Sequence, residues 1–243
     1  MKICLAQSES KKGDINWNIS NHKKWIEVAI SQNADLIVFP ELSLTGYEPN
    51  LANKLATDQN DLRLNEFQEL SDKCKISIGV GLPTKTENGI LISMVIFQPN
   101  QQRQTYSKQE LHSDEKKHFI QGNEQIIIPN NNERIAPAIC YESLQQEHIK
   151  KACELNANIY LASVAKPQDG IEKALNYFPK VAKQYSMLIF MVNCIGFCDN
   201  FKSVGQTSIW DENGILIGQL DSKNESMLIF DTKTKEIIIK NEN

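Results

Sequence analysis

The sequence predicts an α/β fold built from two β-sheets with helices on their outer faces. Apolar runs of strand length alternate with longer segments in which apolar residues recur at helical spacing. Short strands and turn residues accumulate in the last quarter of the chain, which favours hairpins. Alternating strands and helices followed by hairpins are typical of a layered α/β protein. No linker, repeat or low-complexity segment divides the sequence, so we expect residues 1–243 to form one domain.

The elements of the first half are marked by their apolar patterns. Residues 2–7 are predicted as a strand, and apolar residues at helical spacing predict an amphipathic helix over 17–32. The run Leu36–Phe39 is typical of a strand buried on both faces, and Pro40 ends it. Further along, we expect a helix near 60–74, strands at 76–82, 90–97 and 102–106, and a hairpin turn at Glu87-Asn88-Gly89.

The second half opens with a long polar stretch over residues 107–124, where a functional loop or lid would lie. The Asn213-Gly214 pair near the end of the chain indicates a hairpin. Between them we expect strands near 125–128 and 134–139, a helix at 143–156, a strand at 158–163, a helix at 170–186 and a buried strand at Leu188–Asn193.

Composition and charge exclude several classes of protein. The formal net charge is −4, so the sequence lacks the excess of basic residues that is typical of nucleic-acid-binding proteins. No apolar run approaches the roughly 20 residues that a membrane-spanning helix needs, and the N-terminal segment lacks the pattern of a secretory signal. The six cysteines show no framework spacing, and most lie in or beside apolar runs, which favours reduced thiols. We therefore expect a cytoplasmic protein with no nucleic-acid or membrane partner.

Three reactive side chains each stand just past a predicted strand. Glu41 follows an apolar run, Lys108 follows a strand-like stretch, and Cys140 lies between a buried strand and a polar turn. An exposed thiol near the positive end of a following helix favours its thiolate form. A carboxylate, an amine and a thiol in such positions make a base, an oxyanion partner and a nucleophile. Taken singly, each also has an ordinary interpretation as a solvated loop residue, a surface charge or a small buried hydrophobe.

The segments around these residues resemble those of the nitrilase superfamily of carbon–nitrogen hydrolases. They read FPELSLTGY at 39–47, YSKQEL at 106–111 and ICYE at 139–142. Four further segments extend the resemblance over nearly the whole chain, namely MKICLAQ at 1–7, NADL at 33–36, VNCIG at 192–196 and GQTSIWDENG at 205–214. Three separate motifs in order are more specific than any single short pattern. The resemblance implies a four-layer α-β-β-α sandwich whose members commonly dimerise, so we expect a homodimer or a higher homo-oligomer.

The chemistry implied by these three residues is covalent hydrolysis without a metal or cofactor. Cys140 is expected to attack the carbonyl carbon, and Glu41 to take the thiol proton and later protonate the leaving amine. Lys108 would act as an ammonium that stabilises the tetrahedral oxyanion, together with the backbone N–H of Tyr141. Glu41 would then activate the water that cleaves the thioester.

A fourth catalytic candidate is Glu115, because the family often places a second glutamate shortly after the lysine. Its expected task is to orient Lys108 or to assist proton transfer, with Glu110 and Asp114 as rivals in the same polar stretch. Side chains of this stretch could instead form a metal site, but acid and imidazole groups on a polar loop are more often simply solvated. The metal-ligand candidates are Glu110, His112, Glu115 and His118.

The substrate pocket is predicted by position alone. Its candidate residues are Tyr47, Tyr141, Glu142, Lys166 and Phe178. Glu142 could bind a cationic end of a substrate, or it could simply begin the next helix, where a carboxylate suits the helix dipole. Two departures from the family pattern, at Glu110 and at residues 181–185, leave the substrate open.

The favoured function is hydrolysis of a small linear amide or N-carbamoyl compound. Family members that act on nitriles usually carry Trp after the nucleophile, whereas this chain has Tyr141. The alternatives are a nitrile hydrolase with the same three residues and a catalytically idle scaffold or binding protein of the same fold.

Overall fold

The structure is a computed structural model, and it describes residues 1–130 and 132–241. Its α-helices are α1 (Ile15–Ser31), α2 (Ala52–Leu55), α3 (Asn65–Cys74), α4 (Gln146–Glu154) and α5 (Gln168–Tyr185). The strands of the first half are β1 (Lys2–Gln7), β2 (Leu36–Val38), β3 (Ser77–Thr86), β4 (Gly89–Phe97) and β5 (Gln104–Ser107). The later strands are β6 (Ile128–Asn130), β7 (Glu133–Ile139), β8 (Ile159–Val164), β9 (Leu188–Asn193), β10 (Ile195–Cys198), β11 (Phe201–Val204), β12 (Ser208–Trp210), β13 (Leu216–Gln219), β14 (Ser226–Asp231) and β15 (Ile237–Asn241).

Within these residues the strands form two large sheets and one small hairpin. The first sheet has the order β15-β14-β1-β2-β3-β4-β5, the second has the order β13-β12-β9-β8-β7-β6, and β10 pairs with β11. In the first sheet β1, β2 and β3 run parallel, and β5 points the same way because two antiparallel pairings separate it from β3. In the second sheet β7, β8 and β9 run parallel. Ligands bind at the carboxyl ends of such strands in open α/β sheets.

Three apolar layers lie between four layers of secondary structure. In β1, Leu5 faces the space between the two sheets, whereas Cys4 on the opposite face packs towards α1 and α3. In β8, Leu161 faces the first sheet and Tyr160 packs towards α4 and α5. Both faces of each central strand are therefore covered, which explains why apolar residues dominate these strands. The predicted four-layer α-β-β-α sandwich is confirmed.

The boundaries of several elements differ from the prediction. The helix expected over 143–156 is divided, because Gln145 is extended (φ −96°, ψ 128°) between a short 3₁₀ turn at Cys140–Leu144 and α4. The helix expected from residue 60 begins at Asn65, after a 3₁₀ turn that the Asp61 carboxylate caps through Arg63 N. The strand expected at 125–128 begins only at residue 128.

The hairpin predicted at Asn213-Gly214 joins β12 to β13, and Gly214 has a φ of 80° that suits glycine in a turn. Among the residues described, the helices are too short or too polar to cross a membrane.

Candidate active site

Glu41 lies in a tight turn directly after β2. Leu42 has a φ of 51°, a left-handed conformation that reverses the chain. The turn rests on β3 at Gly81, where an added Cβ atom would lie 2.4 Å from Leu42 N and 2.6 Å from Pro40 O. The Gly81 N–H donates to Ser43 Oγ at 3.2 Å and bonds the turn to the strand beneath it. Glycine at this position therefore lets the turn approach β3 closely enough to fix Glu41.

Lys108 follows β5, and its backbone is held on both sides. Its N–H donates to Ile92 O at 2.9 Å, and its carbonyl oxygen accepts from Gly122 N at 2.7 Å. The side chain is fully buried, and Nζ donates to Glu41 Oε1 at 2.8 Å and to Glu115 Oε1 at 2.6 Å. An ammonium has three N–H donors, so one remains after these two bonds.

Glu115 lies in the polar stretch after β5, within a short 3₁₀ turn at Glu115–Lys117. Its carboxylate is buried: Oε1 also accepts from Tyr47 OH at 2.9 Å, and Oε2 accepts from His112 N at 2.7 Å. Its rival Asp114 instead accepts from His112 Nδ1 at 2.5 Å on the exposed surface. Of the acids considered in this stretch, Glu115 is the one that bonds to Lys108.

Cys140 stands at the carboxyl end of β7, on the second sheet. It has a φ of 50°, which is rare for a residue with a Cβ atom and marks a strained turn that presents the side chain. The thiol is half-buried, and Sγ lies 3.7 Å from Ala165 O at the end of β8. The two sheets thus bring Glu41 and Lys108 from one side and Cys140 from the other to a single edge.

Charges in this cluster shift one another's pKa values. Burial opposes the ammonium of Lys108, but the negative charges of Glu41 and Glu115 outweigh that penalty and raise its pKa. Burial raises the pKa of Glu41, and the Glu115 carboxylate adds to the rise while Lys108 opposes it. Lys108 is therefore cationic at neutral pH, and Glu41 has the raised pKa that suits a proton-transfer group.

The surroundings of Cys140 oppose the expectation that it favours its thiolate. Burial and the Glu41 carboxylate raise the pKa of Cys140 to about 12, although Lys166 and Lys108 oppose this. The expected α-helix dipole is also missing at this point, because a five-residue 3₁₀ turn follows the cysteine. A thiol whose pKa is raised in this way needs a base to form its thiolate.

A cavity of about 670 Å³ opens above Cys140. Three of the predicted pocket residues line it, namely Tyr47, Tyr141 and Lys166. Tyr47 also packs on Phe201, with ring centroids 5.6 Å apart, and Phe201 forms part of the cavity wall. This volume lies in the range of pockets that hold small molecules.

The pocket assignments of Glu142 and Phe178 are wrong. Glu142 is fully buried and bonds to the chain itself: Oε1 accepts from Ile139 N at 2.7 Å and Tyr106 OH at 2.6 Å. Oε2 accepts from Gln109 N at 2.6 Å, so this carboxylate joins the Cys140 turn to the loop after Lys108. Phe178 is buried in the core between α5 and the second sheet, with its ring centroid 5.1 Å from that of Trp210.

The sequence analysis missed several cavity residues on α5. Lys173, Tyr177 and Lys180 line the cavity, and their spacing of four and three residues places them on one helix face. That spacing was visible in the sequence, in the helical segment that follows Lys166. Phe201, on the β10–β11 hairpin, had no comparable sequence pattern to mark it.

The four metal-ligand candidates do not form a site in the described part of the chain, where no three His, Cys, Asp or Glu side chains gather in metal-binding geometry. Glu115 is held by Lys108 and Tyr47, and His112 is paired with Asp114.

Comparison with known proteins identifies the family of this chain and several relatives. The profile of the carbon–nitrogen hydrolase family matches residues 2–238. A glutamine-dependent NAD(+) synthetase of Acinetobacter baylyi is 27% identical over 237 residues, covering 93% of this chain and 43% of that protein. The chain thus spans less than half the length of this relative. It spans 98% of a 2-oxoglutaramate amidase of Bacillus subtilis, which is 22% identical over 97% of this chain.

Solved structures show the same fold. An amidase from Nesterenkonia sp. AN1, in a cysteine-to-alanine mutant bound to butyramide, has a TM-score of 0.88 at 19% identity, covering 97% of this chain and 92% of that one. A glutamine-dependent NAD+ synthetase from Acinetobacter baumannii has a TM-score of 0.84 at 24% identity, covering the whole of this chain and 47% of that one.

Proposed function

Because the chain belongs to the carbon–nitrogen hydrolase family, we propose that it hydrolyses the C–N bond of a small linear amide or N-carbamoyl compound through a thioester on Cys140. One observation carries the proposal. The buried Lys108 ammonium bonds to both Glu41 and Glu115, and Glu115 lines the same cavity as Cys140. Such a set supplies a base, a fixed cation and a nucleophile within one recess.

The first step is proton transfer from Cys140 to Glu41. The thiol has a pKa of about 12, so a base must act before attack. Glu41 Oε2 has no hydrogen-bond partner among the described residues, while Oε1 is held by Lys108, so Oε2 can accept this proton. Glu41 and Cys140 are close enough for each to shift the pKa of the other.

Attack of the thiolate on the carbonyl carbon then forms a C–S bond and places a negative charge on the carbonyl oxygen. The remaining N–H of Lys108 and the backbone N–H of Tyr141 are the donors for that oxyanion. Collapse of the intermediate breaks the C–N bond, and the departing nitrogen takes the proton from Glu41. Glu41 then deprotonates a water molecule, and the resulting hydroxide attacks the thioester and breaks its C–S bond. The carboxylic acid leaves, and Glu41 returns the proton to the Cys140 thiolate.

Glu115 keeps Lys108 in place and balances its charge. Two carboxylates around one ammonium would leave one negative charge in a buried site, and the Tyr47 hydroxyl and the His112 N–H both donate to Glu115 to stabilise it. Glu115 therefore holds the cation without acting as a second proton acceptor. This leaves Glu41 as the group that exchanges protons with substrate and nucleophile.

The proposal is tested with Cys140→Ala and with Cys153→Ala, which removes another half-buried thiol remote from the cavity. Ammonia release is measured over a panel of small amides and N-carbamoyl compounds, and intact mass is recorded with a slow substrate. We expect activity and an acyl adduct in the wild type and in Cys153→Ala, and neither in Cys140→Ala. Full activity in Cys140→Ala would refute the mechanism.

A further inference from the structure

Ser163 is a buried polar side chain in the space between the two sheets. It lies on β8 of the second sheet and is only 1% exposed. Its hydroxyl donates to Phe39 O at 2.9 Å, and Phe39 directly follows β2 of the first sheet. Leu161, two residues earlier on β8, faces the same way. A single hydrogen bond therefore crosses the apolar layer and joins the second sheet to the first.

The donor end of this bond lies beside the nucleophile. In the parallel pairing of β7 with β8, Ser163 lies opposite Ile139, the residue that precedes Cys140. Two residues beyond Ser163, Ala165 O lies 3.7 Å from Cys140 Sγ. Hydrogen bonds between the two strands hold both residues in one ladder. The sheet itself therefore fixes the position of Ser163 relative to Cys140.

The acceptor end of the bond lies beside the proposed base. Phe39 precedes Glu41 by two residues, and the residue between them is Pro40, whose ring fixes its φ angle. Phe39 is also held from other directions, because its N–H donates to Gly79 O at 3.0 Å and its ring stacks on His22 with centroids 3.9 Å apart. The Phe39 carbonyl is therefore joined to Glu41 by a short and stiff piece of chain.

The pairing of β2 with β3 ends at this point, which makes Ser163 important for the Phe39 carbonyl. In a continued parallel ladder the N–H of Gly81 would donate to Phe39 O. Here the Gly81 N–H donates to Ser43 Oγ at 3.2 Å, and its carbonyl oxygen accepts from Leu44 N at 2.9 Å. Both backbone groups of Gly81 thus serve the turn, and the Ser163 hydroxyl donates to Phe39 O instead. Removing that hydroxyl would take away a hydrogen bond from a buried carbonyl, which is costly.

The chemical step that depends on this geometry is the proposed proton transfer from Cys140 to Glu41. The two residues come from different sheets, so their separation depends on how the sheets dock. The layer between the sheets is largely apolar, and apolar contacts are non-directional. A general base must lie within hydrogen-bond reach of the proton that it removes. A directional bond from Ser163 to the Glu41 segment is the kind of contact that can hold this distance.

From these contacts we infer that Ser163 is a positioning residue, which sets the approach of Glu41 to Cys140 through its bond to Phe39 O. The inference rests on the proposed function, because it takes Glu41 as the base that deprotonates Cys140. The cavity wall includes the neighbouring Ala165 but not Ser163. Ser163 therefore acts through the Glu41 turn and not by contact with the substrate.

The first test compares the kinetics of Ser163→Ala with those of Ser71→Ala. Ser71 is a matched control on α3, outside the layer between the sheets: its hydroxyl is also buried and donates to a backbone carbonyl, Phe97 O, at 3.3 Å. We expect Ser163→Ala to lower kcat for a good amide about 10-fold with KM within about twofold of the wild type. The loss is smaller than the roughly 100-fold cost of a full 1 Å misplacement, because the turn keeps its bonds to Gly81.

Ser71→Ala should change kcat by less than about twofold, since it displaces no group of the site. Thermal unfolding of both variants shows whether they lose similar stability, so that a difference in kcat reports on position alone. Wild-type kcat in Ser163→Ala, or equal losses in the two variants, would overturn the inference.

Alkylation of Cys140 tests the link to Glu41 without turnover. Iodoacetamide forms a C–S bond with Cys140 Sγ and releases iodide, while the thiol proton passes to Glu41. Alkylation rates are measured by peptide mass spectrometry in the wild type, Ser163→Ala, Glu41→Gln and the double variant, with Cys153 as the internal reference. We expect Ser163→Ala to slow alkylation of Cys140 about 10-fold in the wild-type background and to have no further effect in Glu41→Gln. Losses that multiply in the double variant would show that Ser163 acts independently of Glu41 and would overturn the inference.

Ammonia release by the wild type separates this inference from the proposed function. Glu41-dependent alkylation that is slower in Ser163→Ala, without ammonia release from any amide, would leave the positioning role standing and refute the hydrolase. Ammonia release by the wild type, with unchanged alkylation in Ser163→Ala, would support the hydrolase and overturn the role of Ser163. Alkylation of Cys140 at the wild-type rate in Glu41→Gln would overturn both.

Discussion

Replacing Gly81 by alanine should disable the site without changing any of the side chains proposed to be catalytic. The added Cβ atom would lie 2.4 Å from Leu42 N and 2.6 Å from Pro40 O. Non-bonded heavy atoms prefer separations of about 3.5 Å, so the turn that carries Glu41 must move by about 1 Å. A misplacement of that size typically costs about 100-fold in rate.

The effect on stability should be much smaller than the effect on rate. Overpacking of this kind costs about 1–3 kcal/mol, which corresponds to a few degrees in melting temperature for a chain of this size. We expect Gly81→Ala to remain folded at 25 °C, with kcat for a good amide reduced by about 100-fold. The assay is ammonia release at saturating substrate, with thermal unfolding followed in parallel.

Gly79→Ala is the matched control. Gly79 lies on the same face of β3, but its added Cβ atom would meet Met94 Sδ at 3.2 Å, and a methionine side chain can move aside. This variant should keep kcat within about threefold of the wild type, since the Glu41 turn is not displaced. Wild-type kcat in Gly81→Ala, or equal losses in both variants, would refute the argument that backbone contact with β3 positions Glu41.

Three further predictions follow from the site. Glu41→Gln and Lys108→Ala should each lower kcat by about 100-fold or more, because one loses the proton acceptor and the other the cation at the oxyanion; either variant with half the wild-type rate would require that role to be reassigned. Burial raises the pKa of Glu142 from its usual 4.5 to about 7. The folded state therefore keeps the Glu142 proton to higher pH than the unfolded state does, and the free energy of unfolding should fall by about 3 kcal/mol as pH rises from about 4.5 to 7. Urea unfolding of Glu142→Gln should show no such fall over this pH range. Parallel curves of unfolding free energy against pH for the two proteins would contradict the prediction. Finally, an amide should be hydrolysed faster than the nitrile with the same acyl chain, because Glu41 is placed to protonate a departing nitrogen; a faster nitrile would make the nitrile hydrolase the better interpretation.

The layered fold could be predicted because burial on both faces leaves a direct mark on the sequence. The strand Leu36–Val38 is apolar throughout, and Leu188–Asn193 is apolar up to its last residue; only a strand covered on both sides needs this composition. Element ends were less predictable, since the division of the helix after Cys140 depends on the extended backbone of Gln145. The oligomeric state stays a prediction, which light scattering on the purified chain would test.

Side-chain direction limited the prediction of the pocket. Glu142 is two residues from Cys140, but the left-handed backbone at Cys140 turns the chain so that this carboxylate bonds to Ile139 N inside the protein. Phe178 could have been assigned correctly, because it continues the buried stripe formed by Ile171 and Ala174 on α5. The pKa of the thiol had no sequence signature, since it depends on how closely the two sheets bring buried carboxylates to it.

The division of the reactive groups between two sheets determines when activity appears during folding. Glu41 and Lys108 belong to one sheet and Cys140 to the other, and β1 in the first sheet pairs with β14 from the far end of the chain. Contacts of such long sequence separation form late, because closing long loops is entropically slow. Enzyme activity should therefore return in refolding only with the final docking of the sheets, after helical structure has recovered. A compact intermediate with native secondary structure would release no ammonia from an amide substrate. Recovery of activity therefore reports selectively on the last folding step.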